Sequence, residues 1–178
     1  NYVIKNYYKN KKKFPKIKIL NTGKNTMTGG RILRFKKYFK KKENFFMTYG
    51  DGLCDINLKK LKKFHEKHNK IATVTAVRPP IRFGELNVGN NNVVKKFEEK
   101  PQLKSGWING GFFILNYEVF KYIKNDSTLF EREPMEKLAK RRNLIAYKYS
   151  GFWKCVDTLK DKLFLEEIYK KNKKKWIR

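Results

Sequence analysis

The chain has 178 residues, 40% of them hydrophobic and 15% aromatic, which suits one domain with its own core and is too apolar for a disordered segment. Its formal net charge of +28 raises the question of a nucleic-acid partner, yet the excess is mostly Lys and is spread along the whole length. No apolar run approaches the roughly 20 residues a membrane-spanning helix needs, so no membrane is expected as a partner.

Lys arrives together with abundant Asn, Ile, Tyr and Phe, the signature of an AT-rich coding bias. Nucleic-acid readers cluster Arg with aromatics on one surface, and no such cluster is visible, so no nucleic acid is expected. Cys54 and Cys155 have neither CxxC spacing nor neighbouring ligands, and they read as reduced thiols of a cytoplasmic protein. The first residue is Asn1 rather than Met. The expectation is that the gene product begins upstream.

In chain order, residues 1–13 are polar and punctuated by Phe14-Pro15. Lys16 to Leu20 alternates Lys with Ile and Leu, predicting a half-buried strand. Thr26-Met27-Thr28-Gly29-Gly30-Arg31 then leads into a helical pattern of Ile32, Leu33, Phe35, Tyr38 and Phe39. It reads either as a helix start capped by Thr28 or as an anion site built from free backbone amides, with Arg31 tipping the balance towards phosphate. Phe45 to Asp55 predicts a buried strand ending in a sharp turn, with Asp51 between Gly50 and Gly52 at its carboxyl tip. In open α/β sheets that is where ligands gather.

Asn57 to His68 predicts a helix, with His65 and His68 as partly exposed positions rather than a zinc site. Ile71 to Val77 predicts a buried strand. Phe83–Val88 and Val93–Glu98 predict a hairpin about Gly89-Asn90-Asn91-Asn92. Glu99-Lys100-Pro101, on residue types alone, is a solvated turn. Asn109-Gly110-Gly111 enters an apolar strand, where the glycines serve tight packing or let a substrate lie near the backbone. Tyr117–Ile123 and Glu131–Lys140 predict helices, Leu144–Tyr149 a strand, and Leu159–Tyr169 a closing amphipathic helix. Asp157-Thr158 before it is either a second carboxylate at a turn or simply a cap. The lysines of 170–175 read as a solvated helix end. This is a mixed α/β layer fold without repeat or linker, one domain over 1–178.

The motifs TMTGGR (26–31), YGDG (49–52), RPPIRFGEL (78–86), FEEKP (97–101), WINGGFFIL (107–115), EREP (131–134) and GFWKCVDTLKDK (151–162) occur in this order. Together they resemble the glucose-1-phosphate cytidylyltransferases among the sugar-nucleotide pyrophosphorylases, over about Ile17 to Trp176. The resemblance implies a Rossmann-like nucleotidyltransferase fold, a mixed sheet flanked by helices. It implies transfer of a cytidylyl group from CTP to glucose 1-phosphate, giving CDP-glucose and pyrophosphate, a first step towards CDP-linked deoxysugars of surface polysaccharide. It assigns Thr26, Arg31 and Gly50 to the nucleotide, Asp51 and Asp157 to Mg2+, and Gly84, Glu99, Lys100, Asn109 and Gly110 to the sugar phosphate. Asp51 and Lys100 are thereby the expected catalytic residues, and a homo-oligomer is expected of the full-length protein.

Departures accompany the likeness. The family's first βα unit carries a GGxGTR loop and a downstream Lys, and this chain has neither. Asn21 stands where Asp is usual, and Lys154, Cys155 and Val156 differ from the usual residues before the metal-binding Asp. The expectation is the C-terminal two-thirds or so of such an enzyme. Its rivals are an inactive fragment retaining the sugar-phosphate half-site, a thymidylyl- or uridylyltransferase for the same sugar phosphate, and a basic nucleic-acid-binding module.

Overall fold

The computed structural model describes residues 17–79, 85–88, 92–98 and 106–171. The elements in order are α1 (Thr28–Phe35), a 3₁₀ turn (Lys36–Tyr38), β1 (Asn44–Thr48), β2 (Gly52–Cys54), α2 (Leu58–His68), β3 (Ala72–Val77), β4 (Glu85–Val88), β5 (Val94–Glu98), β6 (Ile108–Asn116), a second 3₁₀ segment (Tyr117–Tyr122), α3 (Glu133–Lys140), β7 (Leu144–Lys148), β8 (Trp153–Cys155) and α4 (Leu159–Lys170).

β6 organises them. Its run FFIL is apolar on both faces, and it lies between β1 and β3 in a four-stranded sheet of order β1-β6-β3-β7. It runs antiparallel to both neighbours, while β3 and β7 are parallel. Alternation along β6 sends Phe113 and Leu115 into one cluster with Phe45, Val119, Phe120, Phe130 and Leu138. Ile114 goes to the other face, against Leu61 and Ile56. Helix α2 therefore covers one side of the sheet, and the second 3₁₀ segment and α3 cover the other. This is the mixed α/β layering that the pattern predicts.

Several expectations are corrected. Residues 17–20 form no strand; Ile17 is exposed, and alternation alone cannot make a strand without a neighbour to complete its ladder. β1 is at the sheet's edge among the described residues, so Phe46 faces outward, 48% exposed, rather than into a core. Tyr117–Tyr122 winds as 3₁₀, its start capped by Asn116 accepting from the Glu118 amide. The hairpin β4–β5 forms as predicted, although Phe83 and Gly84 lie outside the described residues, as do Lys173, Lys174 and Lys175 of the tail.

His65 is the clearest miss. It is buried, and the rings of His65 (Nδ1) and His68 (Nε2) both meet Thr73 Oγ1, at 2.8 and 2.7 Å. The Lys70 amide donates to His68 Nδ1, so the neutral His68 ring carries its proton on Nε2 and donates it to the threonine hydroxyl. The hydroxyl and His65 Nδ1 share a second bond whose direction follows the His65 tautomer. Two histidines thus satisfy one buried strand hydroxyl, and burial holds the His65 pKa down at about 4.

A candidate nucleotidyl-transfer site

The two aspartates are joined by a ladder too short to show in the sequence pattern. β2 and β8 pair antiparallel with Gly52 opposite Cys155. The Val156 amide donates to the Asp51 carbonyl at 2.8 Å, and the Asp55 amide to the Phe152 carbonyl at 3.2 Å. Asp51 and Asp157 therefore emerge side by side at one end of this ladder. Carboxylate oxygens of both, together with Cys155 Sγ, lie within 4.8 Å of one another. Thr158, not Asp157, caps α4: it forms a capping box with Asp161, which leaves the Asp157 carboxylate outside the cap. Lys154 and the Thr158 group hold Asp161 well below the ordinary carboxylate range. Burial, the Asp157 hydrogen bond and the two aspartate charges push the Cys155 thiol up to about 11.

The aspartates line a cavity of about 790 Å3, shared with Asn109, Gly110, Arg78, Lys160 and Trp153. A break in register opens its floor: Val74 pairs with Phe113, but Ala76 pairs with Asn109, so β6 carries extra residues at the glycine pair. Gly111 has φ +77°, and a Cβ there would meet the Tyr49 ring at 2.8 Å. A Cβ on Gly110 would meet the Thr75 carbonyl at 2.9 Å. Trp153 Nε1 donates to the Gly110 carbonyl at 2.7 Å, docking the β2–β8 ladder onto the main sheet. Of the two readings of the glycine pair, tight packing is present outright. Gly50 is different, for nothing lies within 4 Å of a Cβ there, and the space beside Asp51 is open.

Thr26, Arg31 and Gly50 are not on the cavity wall. Thr26 is buried, and Arg31 donates to Thr22 Oγ1 at 2.6 Å. The amides of Met27 and Gly29 donate to the carbonyls of Asp126 and Thr128, so they are not free for an anion. Thr28 is no cap either; its hydroxyl donates to Glu131 and accepts from the Phe130 amide. Backbone pairing with the 126–131 segment takes the place of side-chain capping, and Gly29 and Gly30 permit it, because a Cβ on either would strike that segment's backbone at 2.7 and 2.5 Å. Gly84, Glu99 and Lys100 lie outside the described residues.

Sequence reasoning passed over four contributors. Arg78 stacks on Trp107, its guanidinium carbon 4.3 Å from the ring centroid, and Lys148 approaches the same ring at 5.6 Å. Lys160, in the first turn of α4, adds a further cation to the wall. Tyr49 leans on Phe113 and donates to Glu131 at 2.8 Å, and burial raises its pKa above the usual tyrosine value. Arg78 and Tyr49 do stand in the motifs quoted above, and their flanking Pro79 and Gly50 were the available signal.

The Nucleotidyl transferase family model matches residues 2–171. The chain belongs to this family. Among curated family members it is 44% identical over 160 residues to a glucose-1-phosphate cytidylyltransferase of Salmonella typhimurium, covering 90% of this chain and 62% of that protein. To a probable glucose-1-phosphate cytidylyltransferase of Bacillus subtilis it is 42% identical over 162 residues, covering 90% and 63%. The chain thus spans somewhat less than two thirds of the length of these relatives. The fold agrees with solved structures: HddC from Yersinia pseudotuberculosis superposes with a TM-score of 0.70 at 22% identity, over 95% of this chain and 74% of that one. A UDP-glucose pyrophosphorylase complexed with UDP-glucose gives 0.63 at 16% identity, over 97% and 74%. No helix among the described residues is long and apolar enough to cross a membrane.

Proposed function

We propose that this chain carries the acidic and sugar-phosphate part of a site that transfers a cytidylyl group from CTP to α-D-glucose 1-phosphate, releasing pyrophosphate. The observation that supports it most is the convergence of Asp51 and Asp157, from opposite strands of one ladder, on a cavity that also holds Asn109, Gly110 and cationic walls. The names of its curated relatives supply the nucleotide and the sugar.

The donor set suits the cation this chemistry requires, since carboxylate oxygens are the ligands Mg2+ takes when it bridges to phosphates. Bound there, Mg2+ would offset the charge of the nucleotide phosphates. Every other contribution belongs to the chain. An oxygen of the sugar phosphate attacks the α-phosphorus, and the bond to the β-phosphate breaks in line; such transfers are governed by positioning and charge. Arg78, held against Trp107, and Lys160 raise the positive potential that two anionic substrates need in order to meet. Asn109 is braced for contact with a hydroxyl, because its Oδ1 already accepts from the Gly111 amide at 2.8 Å while its amide group faces Tyr49. Gly84, Glu99 and Lys100 complete the sugar-phosphate side, with Lys100 as the partner of the phosphate. Thr26, Arg31 and Gly50 belong to the nucleotide side, and the assembly is a homo-oligomer in the cytoplasm.

The test is product formation. The chain with CTP, glucose 1-phosphate and Mg2+ should yield CDP-glucose and pyrophosphate, resolved by mass. Product from UTP or dTTP in preference to CTP would overturn the base assignment. Saturable binding of glucose 1-phosphate with no nucleotide sugar formed would overturn the transfer reading.

A further inference from the structure

Two carboxylates are a hard, oxygen-only donor set, but the cluster beside the cavity is not oxygen-only. Cys155 Sγ stands 3.3 Å from Asp157 Oδ1, and it closes a triangle with Asp51 in which all three donor atoms lie within 4.8 Å. We propose that Cys155 is a third ligand here, so that Asp51, Cys155 and Asp157 take a zinc-class divalent cation through one thiolate sulfur and two carboxylate oxygens. That this cation competes with Mg2+ rests on the transfer reading above; the ligation itself does not.

The backbone places the three donors together. Cys155 ends β8 opposite Gly52, whose lack of a side chain leaves nothing attached there to stand between the thiol and Asp51. The 2.8 Å bond from the Val156 amide to the Asp51 carbonyl fixes the two strands at the triangle itself. Lys154, beside Cys155 on β8, forms its ion pair with Asp161 of α4. Ligand bonds of about 2.0–2.3 Å in a tetrahedral shell bring donors to roughly 3.5 Å from one another, which side-chain rotation alone can reach from the present spacing. Thiolate selects zinc-class ions, whereas carboxylate and water suffice for Mg2+. On binding, the S–H bond breaks, the proton passes to water, and the sulfur–metal bond forms with no change of oxidation state.

Cys54 is the internal control. It sits opposite Trp153 on the same ladder but packs against the Ile56, Leu61 and Ile114 cluster, outside the triangle. Co2+ titrated into the purified 178-residue chain should produce a near-ultraviolet thiolate-to-cobalt band, and Zn2+ should bleach it. The band should persist in Cys54→Ser and vanish in Cys155→Ser. Asp51→Asn and Asp157→Asn should weaken Co2+ binding at least as much as loss of an outer-shell partner does, about 10–100-fold. In the unaltered chain, Zn2+ should slow alkylation of Cys155 about tenfold or more while leaving Cys54 unchanged, mapped by peptide mass, on the scale set by even an outer-shell contact. No cobalt band, a band that survives Cys155→Ser, or equal alkylation with and without Zn2+ overturns the proposal. CDP-glucose formed without a band refutes this inference alone; a band without CDP-glucose refutes only the transfer reading.

Discussion

The central sheet and the β2–β8 ladder sit side by side and are held by opposite means. β6 is buried on both faces, and Phe113, Ile114 and Leu115 are each almost fully sequestered. The ladder has only three residues in each strand and no fully buried side chain. It is fixed instead by backbone bonds at its ends, by Trp153 on the Gly110 carbonyl, and by Tyr149 donating to Asp55. Hydrophobic burial stabilises the platform, and hydrogen bonding positions the acids. Substitutions in the two regions should therefore be read by different instruments.

Phe113→Ala should show the largest effect, a loss of about 3–5 kcal/mol from a cavity at the centre of the core, read as a urea midpoint. A loss below about 1 kcal/mol would break the comparison from the platform side. Next comes pH. His65 is held neutral with a pKa of about 4, below the ordinary value of 6.5. The unfolded chain then binds the extra proton first, so stability is full above about pH 6.5 and falls as pH drops towards 4, by at most roughly 3 kcal/mol. His65→Gln should flatten that slope; an unchanged slope would remove the histidine pair from the account. On the ladder, Asp51→Ala should lower CDP-glucose formation at least about a hundredfold, with the thermal midpoint moving little. A large fall in the midpoint would mean that the acid supports the fold instead. The smallest effect is Thr158→Ala, about 1 kcal/mol from the lost cap. It sharpens the contrast because the cap lies beside Asp157 without sharing its carboxylate.

What the sequence made legible follows the same division. Long elements with strong periodicity, α2, β3 and β6, stand where their patterns place them, because burial itself writes those patterns; α4 forms over its expected range, but Leu159, Leu163 and Tyr169 of its expected apolar face are exposed and Leu165 is its buried anchor. The ladder carries no such mark: three residues are too few for a period, and its pairing is between segments about a hundred positions apart. Asp51 and Asp157 were nevertheless visible, each beside residues that punctuate a turn. Their juxtaposition was legible only through the family resemblance. His65 was misread because a histidine on a Lys-rich helix looks solvated, and nothing local announces that the buried Thr73 hydroxyl needs partners. The free amides expected of the Thr26–Arg31 loop are taken up by backbone pairing for a related reason. Glycines that admit a phosphate and glycines that admit a backbone segment are spelled alike, and only the 126–131 segment distinguishes them.

Helix α4 begins one residue after Thr158, and Asp161 in its first turn is tied to Lys154 of β8. Its 12 residues extend roughly 18 Å from that anchor. Any tilt of the ladder as the acids take up their charge partner is thus carried to the far end as a displacement several times larger. Tyr169, half exposed near that end, is where a fluorescent label would register occupancy of the acidic cluster without touching it.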